Sequence, residues 1–412
     1  MKIVACRVCD FQDFGMILDY GEVALADSFL NSQSDIEKEK KYPLNLVICK
    51  NCKHVQIDEI VDPKLMFSNY PWETGISKSI EEFSNDMSEK LIKLFNIEKP
   101  SKPKVFEIAS NDGSLLNVFK NKGCEILGVD PAENIAKKAN EKLINTIPKF
   151  FNYNTAKEVV SQYGQYDICI ARNVLAHVNK LHSLVEGIRL ILKDDGFAVI
   201  EVPSLYAMVE QLQYDQVFHE HIGYHSLDRV IKLFEKYNMQ VFDVESLWIH
   251  GGSLRIFIKH NDGPMLKSKN VNNFYNKEKS LGLFENSTWE KYAARVNSHR
   301  ESLLNELNKI KKENKKIAIY GASGKGQSLL QFCGIDNTMV EYVVDKSKMK
   351  QGKLTPGTHI PVFSPDHIYE DLPEVILLCA WNFAEEIVAQ ERRFSSLNGR
   401  FLHPFPLPHY LD

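Results

Sequence analysis

Two short cysteine pairs constrain the folding of this chain more than any other feature: Cys6-x-x-Cys9 and Cys49-x-x-Cys52. Each spacing lets one tight turn present both sulfurs to the same ion, and four thiolates close a tetrahedral zinc site. The chain must therefore double back between the pairs. It reads there as short strands and turns, with a polar looped insert, NSQSDIEKEKK, between the knuckles. This region carries too little apolar material to stand alone. A redox CxxC is the competing reading, but such a pair rarely comes doubled. A site closed by four sulfurs keeps no open position, so Cys6, Cys9, Cys49 and Cys52 are expected to hold structural zinc. His54, just past the second knuckle, is either a competing ligand or an ordinary histidine. Cys124, Cys169, Cys333 and Cys379 stand singly in apolar surroundings, as small hydrophobes do in a reducing compartment.

At 412 residues the chain exceeds one ordinary domain. The formal charge of −4 and the absence of a segregated Lys/Arg cluster argue against nucleic acid as a partner. The first residues, MKIVACRVCD, lack the hydrophobic stretch of a signal peptide, and runs such as VILLCA fall far short of a membrane span. A cytoplasmic protein without a membrane partner is expected. The sequence sets no oligomeric state, and a monomer is compatible with it.

From about Glu81 the pattern turns helical, KPSKPK breaks it, and VFEIAS reads as a buried strand before a turn and a helix. CEILGVD, NIAKKANEKL, YDICIAR, SLVEGIRLIL and GFAVIEV then alternate strand with helix, the pattern of a parallel sheet covered on both faces. A strand pair, MQVFDVESLWI and GSLRIFIKH, flanks Gly251-Gly252. After a polar stretch comes a long helix, read as opening with a capping box at Ser287-x-x-Glu290. It carries Tyr292, Val296, Leu303, Leu307 and Ile310 on one stripe. A second strand-turn-helix unit begins at KIAIYGASGKG.

In VFEIASNDGSLL, Glu107 ends a strand and Ala109 to Gly113 make a small turn where a cofactor can approach the backbone. Asp130 ends the next strand, where an acidic side chain commonly accepts from a ribose diol. NAD and S-adenosylmethionine present the same adenosine ribose, so the pattern does not separate them. YGASGKG, with Gly321, Gly324 and Gly326, is followed by Asp345 at the spacing of a dinucleotide fingerprint. By itself it fits NAD or a ligand-free turn equally.

Taken in order, EIASNDGSLL, NVLAHV, VFHEHIGYHSL, HGGSLRIF, YGASGKG and LLCAWNFAEEI, preceded by the paired knuckles, resemble the S-adenosylmethionine-dependent nucleotide-sugar C-methyltransferases. The resemblance covers essentially the whole chain. It implies an α/β protein of three parts: a zinc-binding domain over 1–68, a Rossmann-like class I methyltransferase domain over 69–262, and a helical spacer with a C-terminal Rossmann-like domain over 263–412. The implied reaction is C-methylation of a nucleoside-diphosphate 4-keto-deoxysugar at C3. The implied cofactors are S-adenosylmethionine, held by Glu107, Ala109, Asn111, Gly113 and Asp130, and structural Zn2+.

Carbon–carbon bond formation at a methyl sulfonium needs a carbanion equivalent, and a neighbouring ketone lowers its cost by making an enolate. Histidine has the pKa to take the α-proton near neutrality. The resemblance makes His221 that base, Glu220 its catalytic neighbour and His177 a group near the sugar, leaving His219 and His225 as structural residues. Glu220 and His221 can share a face only if their segment is irregular, because strand neighbours point opposite ways. The substrate contacts implied are Trp72, Phe218 and Tyr224, with Gly321, Lys325, Gly326 and Asp345 for the diphosphate and nucleotide; Trp381 and Asn382 are read either as base-stacking and sugar contacts or as ordinary packing at a helix start, and Arg255 either as an anion contact or as half of a structural salt bridge. Trp72 and Phe218 stand where relatives carry tyrosines, so two hydroxyl donors are missing; Tyr70 keeps the first aromatic of its run, and Thr74 or Tyr224 are the replacements at hand. O- or N-methylation uses a similar base, an NAD-linked reductase or epimerase would use the C-terminal fingerprint, and a zinc adaptor would use neither.

Overall fold

The computed structural model describes residues 1–67, 78–98 and 101–411. Strand β1 (Phe14–Ala24) pairs antiparallel with β2 (Lys41–Cys49), and β2 with β3 (Val55–Ile57). These strands are longer than the short segments expected. The polar insert between β1 and β2 closes as a 3₁₀ turn at Gln33–Lys38 with no buried residue. The short helix α1 (Pro63–Phe67) follows.

Helix α2 (Lys78–Glu98) leads into the second unit. There β4 (Lys104–Ile108), α3 (Ser114–Asn121), β5 (Glu125–Val129), α4 (Glu133–Glu141), β6 (Thr146–Ile147), α5 (Tyr153–Tyr163), β7 (Tyr166–Arg172), α6 (Leu181–Ile191) and β8 (Leu192–Pro203) alternate. Helix α7 (Leu205–Glu210), the two-residue strand β9 (Gly223–Tyr224) and α8 (Leu227–Glu235) come next, before the hairpin β10 (Met239–Leu247) and β11 (Ser253–His260). The seven-stranded order is β10-β11-β8-β7-β4-β5-β6, parallel from β8 to β6, with β11 antiparallel to both neighbours. The strand order reverses at β4, which has β5 on one side and β7 on the other. Ligands of such sheets bind beyond the strand ends at that point.

Two sequence expectations need correction. The polar stretch after the hairpin contains a helix, α9 (Lys269–Ser280), capped by Ser268, whose Oγ accepts from the Asn270 N–H. The long helix α10 (Asn286–Lys312) has no capping box: Glu285 precedes it without a side-chain cap, and Ser287 already lies inside the first turn. Its apolar stripe is buried as read, from Tyr292 through Ile310.

The third unit holds β12 (Ile317–Tyr320), α11 (Gly324–Cys333), β13 (Tyr342–Val344), β14 (Val362–Phe363), β15 (Val375–Leu378), β16 (Arg400–His403) and β17 (His409–Leu411). Their order is β14-β13-β12-β15-β16-β17, parallel except for β17.

The segment between α7 and α8 ties the three units together. Its strand β9 completes the N-terminal sheet, with Val55 opposite Tyr224. Tyr214, wholly buried, bonds through its hydroxyl to His299 Nδ1 at 3.0 Å and contacts Cys333, while the Tyr20 hydroxyl donates to the Tyr214 carbonyl. One apolar cluster therefore runs from Leu46 and Ile57 through Met208 and Tyr214 to Leu303 and Val343. Covering so much apolar surface on several elements fixes the course of a segment with almost no regular structure of its own.

Candidate active site

The two knuckles have matching geometry. Asp10 N–H bonds to the Cys6 carbonyl at 2.9 Å and Lys53 N–H to the Cys49 carbonyl at 2.9 Å, and both Asp10 and Lys53 take φ 62°. Each turn thus folds back so that its two sulfurs face the other pair. The four Sγ atoms lie within 4.8 Å of one another, with Cys6–Cys52 and Cys9–Cys49 both at 3.6 Å. Tetrahedral Zn–S bonds put sulfurs about 3.8 Å apart, so the cluster has the size of a zinc site and is far too wide for a disulfide. All four cysteines are free, and together they would hold the ion without an open position. His54 is not a member. Its wholly buried ring faces His225 at 5.0 Å, behind the segment that carries the catalytic candidates. Gly223 passes between them, where an added Cβ would lie 3.1 Å from His225 Nε2.

Beyond β4 the chain winds through three left-handed residues, Ala109 (φ 54°), Asn111 (φ 51°) and Gly113 (φ 76°). This replaces the glycine-rich turn of the usual fingerprint, and Asp130 anchors it, taking the N–H groups of Asn111 and Ala132 at 2.8 Å each. Glu107 meets Arg172 at 3.2 Å, yet burial outweighs the guanidinium and lifts its carboxyl to about 7. Glu107 Oε2, Ser110 Oγ, Arg172 Nε and the Asn173 Oδ1 are buried without partners among the described residues. Unsatisfied donors and acceptors of both kinds beyond the sheet's reversal point fit a zwitterionic, hydroxyl-rich ligand such as S-adenosylmethionine.

After β7, His177 meets His221 edge to face at 4.9 Å. The His221 Nδ1 lies 3.1 Å from the Gln216 carbonyl, which can only accept, so Nδ1 carries the hydrogen and Nε2 the lone pair. Burial first, then His177, Lys325 and His250, hold the imidazole well below the usual histidine range, against the pull of that carbonyl. Burial also lowers His177 to about 4. Phe218 packs on His221 with the rings tilted at 32° and their centres 4.2 Å apart, and lies against Gly324, so the aromatic without a hydroxyl covers the imidazole.

Several expected roles change. The irregular loop does not bring Glu220 and His221 together: the buried Glu220 carboxyl pairs with Asp27 near Lys350, and burial with Asp27 raises it well above the carboxylate range. The Tyr224 hydroxyl is spent on the Gln216 carbonyl at 3.3 Å inside the core and replaces no sugar donor. Arg255 is an internal sheet cation, 2.7 Å from Glu201 and 3.6 Å from Glu245 on the flanking strands. Asp345 takes the Ala322 and Ser347 N–H groups at 2.8 Å each, so it closes its own loop. Gly321 and Gly326 permit close packing, since added Cβ atoms would sit 2.6 Å from Ala380 and 2.9 Å from Cys379.

Trp381 is buried, its Nε1 donating to Asp215 Oδ2 at 2.6 Å, as ordinary packing at a helix start would have it; Asn382 beside it is half-buried. Lys325 turns toward the central unit and donates to the His250 carbonyl at 2.6 Å. Tyr70, Trp72 and Thr74 lie outside the described residues. Sequence reading missed Asp27, Asn173, Asp215, Gln216 and His250. Asn173 (φ 54°) and His250 (φ 59°) hold left-handed backbone with Asn173 Nδ2 3.3 Å from His250 Nε2, a conformation that residue type does not announce.

Residues 6–67 match a zinc binding domain model, 80–244 a methyltransferase domain model, and 248–406 the model described as C-methyltransferase C-terminal domain. The C-methyltransferase NovU of Streptomyces niveus is 30% identical over 407 residues, 99% of this chain and 96% of that protein. Solved structures of other proteins align with part of the chain. The PH0226 protein of Pyrococcus horikoshii OT3 is 18% identical with TM-score 0.37 over 46% of this chain and 96% of its own. Magnesium protoporphyrin IX methyltransferase of Synechocystis PCC 6803 is 12% identical with TM-score 0.31 over 43% and 79%. Similar to NovU from end to end and to the three domain models in order, the chain belongs to the family of S-adenosylmethionine-dependent C-methyltransferases with an N-terminal zinc-binding domain.

Proposed function

We propose that the enzyme methylates a nucleoside-diphosphate 4-keto-deoxysugar at C3, with His221 as the base. The observation that carries this reading is the His221 imidazole itself: buried, fixed through Nδ1 to the Gln216 carbonyl, and neutral, with its lone pair on Nε2. Bound S-adenosylmethionine supplies an electrophilic methyl group. His221 would take the α-proton at Nε2 while the C–H electron pair moves into the enolate, whose carbon would accept the methyl group as the methyl–sulfur bond breaks and S-adenosylhomocysteine leaves. His177 and Phe218 confine the ring to one orientation and exclude water, which raises the effective concentration of base. Zinc takes no part in these steps and holds the turn behind the His221 segment.

The test is mass spectrometry of wild type and His221→Ala with S-adenosylmethionine and a panel of nucleotide 4-keto-sugars in deuterated water. One added methyl group, with α-deuteration that the variant loses, is expected, and NMR of the product locates the carbon. A 4-ketone activates C5 as well as C3, so a methyl group at C5 would move the site while keeping the chemistry. A methyl group on oxygen or nitrogen, or transfer that survives loss of His221, would sink the proposal.

A further inference from the structure

The C-terminal glycine turn reads as a nucleotide-binding device, yet its lysine reaches across to the His250 turn of the central unit. Lys325 Nζ gives one hydrogen to the His250 carbonyl at 2.6 Å and lies 5.1 Å from the centre of the Trp381 ring. Trp381 is fixed by Asp215, and Gly251 packs so tightly on it that an added Cβ would come within 2.5 Å of the indole. The neighbouring Gly324 rests on Phe218, whose ring packs tilted against His221. An ammonium has three donors, and the tether uses one.

We propose that Lys325 is a further catalytic residue, whose two remaining donors face the enolate oxygen formed when His221 removes the α-proton. This rests on the enolate reading above. The charge balance favours it. Proton transfer leaves a positive imidazolium on His221 and a negative oxygen on the sugar, and an ammonium beside both repels the first and attracts the second. Alone it makes His221 a weaker base; with the ketone in place it lowers the cost of the oxyanion. Among the described residues, the charged or titratable groups around His221 include His177, His250, Lys325 and Tyr224, and those around Lys325 and His250 include Asp215 and Arg172. Asp215 favours the charged lysine against its burial.

This arrangement makes two effects of one substitution run in opposite directions. In Lys325→Met and Lys325→Gln the free His221 should titrate at higher pH, yet enzyme-catalysed α-deuteration and kcat should fall 100-fold or more, the size expected for removal of one oxyanion donor. Lys325→Arg should restore the low titration and part of the rate. Histidine titration is followed by NMR of protein labelled at the ring carbons, with His221→Gln assigning the signal, and intact zinc content and thermal midpoint identify folded variants. An unmoved His221 titration in whichever of the Met and Gln variants folds would overturn the proposal. So would a change confined to KM for the nucleotide sugar, which would assign Lys325 to the diphosphate. If wild type methylates no 4-keto-sugar, the functional reading fails by itself, and the titration still reports whether Lys325 acts on His221.

Discussion

Trp381→Phe isolates a single hydrogen bond between the C-terminal unit and the catalytic segment. The indole Nε1 donates to Asp215 at 2.6 Å, and the other carboxylate oxygen has no hydrogen-bond partner among the described residues, so phenylalanine keeps most of the ring and takes the side-chain donor away from a fully buried carboxylate. A hydrogen bond to a charged buried group is worth about 1.5–3 kcal/mol. Burial already lifts Asp215 from 3.8 to about 6, a displacement that costs folding roughly 3 kcal/mol once the group is ionised. Because the folded pKa is the raised one, that cost is absent below the unfolded value and complete above about 6. Removing the donor raises the folded pKa further. The variant should therefore lose about 2–3 kcal/mol relative to wild type at pH 8 but only about 1 kcal/mol at pH 5, where both proteins carry a neutral Asp215. Urea unfolding of the two proteins at each pH, followed by circular dichroism, measures the difference. A penalty of equal size at both pH values would show that Trp381 contributes packing alone and would refute the assignment of the carboxylate.

Three further outcomes follow from the same geometry. His225 is buried and lowered from 6.5 to about 4, so the stability of its neutral form is complete above 6.5 and is lost as pH falls toward 4, by up to about 3 kcal/mol. Thermal unfolding of wild type and His225→Gln across that window should show a shallower acid loss in the variant. Gly113→Ala places a methyl group 2.7 Å from Ile144 at φ 76°, and should cost about 1–2 kcal/mol in strain and weaken S-adenosylmethionine binding in calorimetry. Arg255→Met leaves Glu201 buried without its cation, so the midpoint of unfolding should drop by the equivalent of about 3–5 kcal/mol while KM for the nucleotide sugar stays the same; a KM effect in folded protein would restore Arg255 as a substrate contact.

The sequence alone was informative wherever the deciding signal was local. Cys6-x-x-Cys9 and Cys49-x-x-Cys52 needed only two tight turns to converge, and the alternation from Lys104 to Pro203 carried its sheet because strand and helix each impose a period on their own residues. Side-chain direction in irregular backbone has no such period. Glu220 and His221 are adjacent in the chain, yet one meets Asp27 of the N-terminal unit and the other His177 of the central one. The GASGKG turn has the residues of a phosphate loop, but its lysine direction was decided by docking against Phe218, His250 and Trp381. Local sequence determined which elements form and which four sulfurs meet. Only tertiary packing decided where the loop side chains point, because those contacts join residues far apart in the chain whose cost of burial is offset only after all three units have come together.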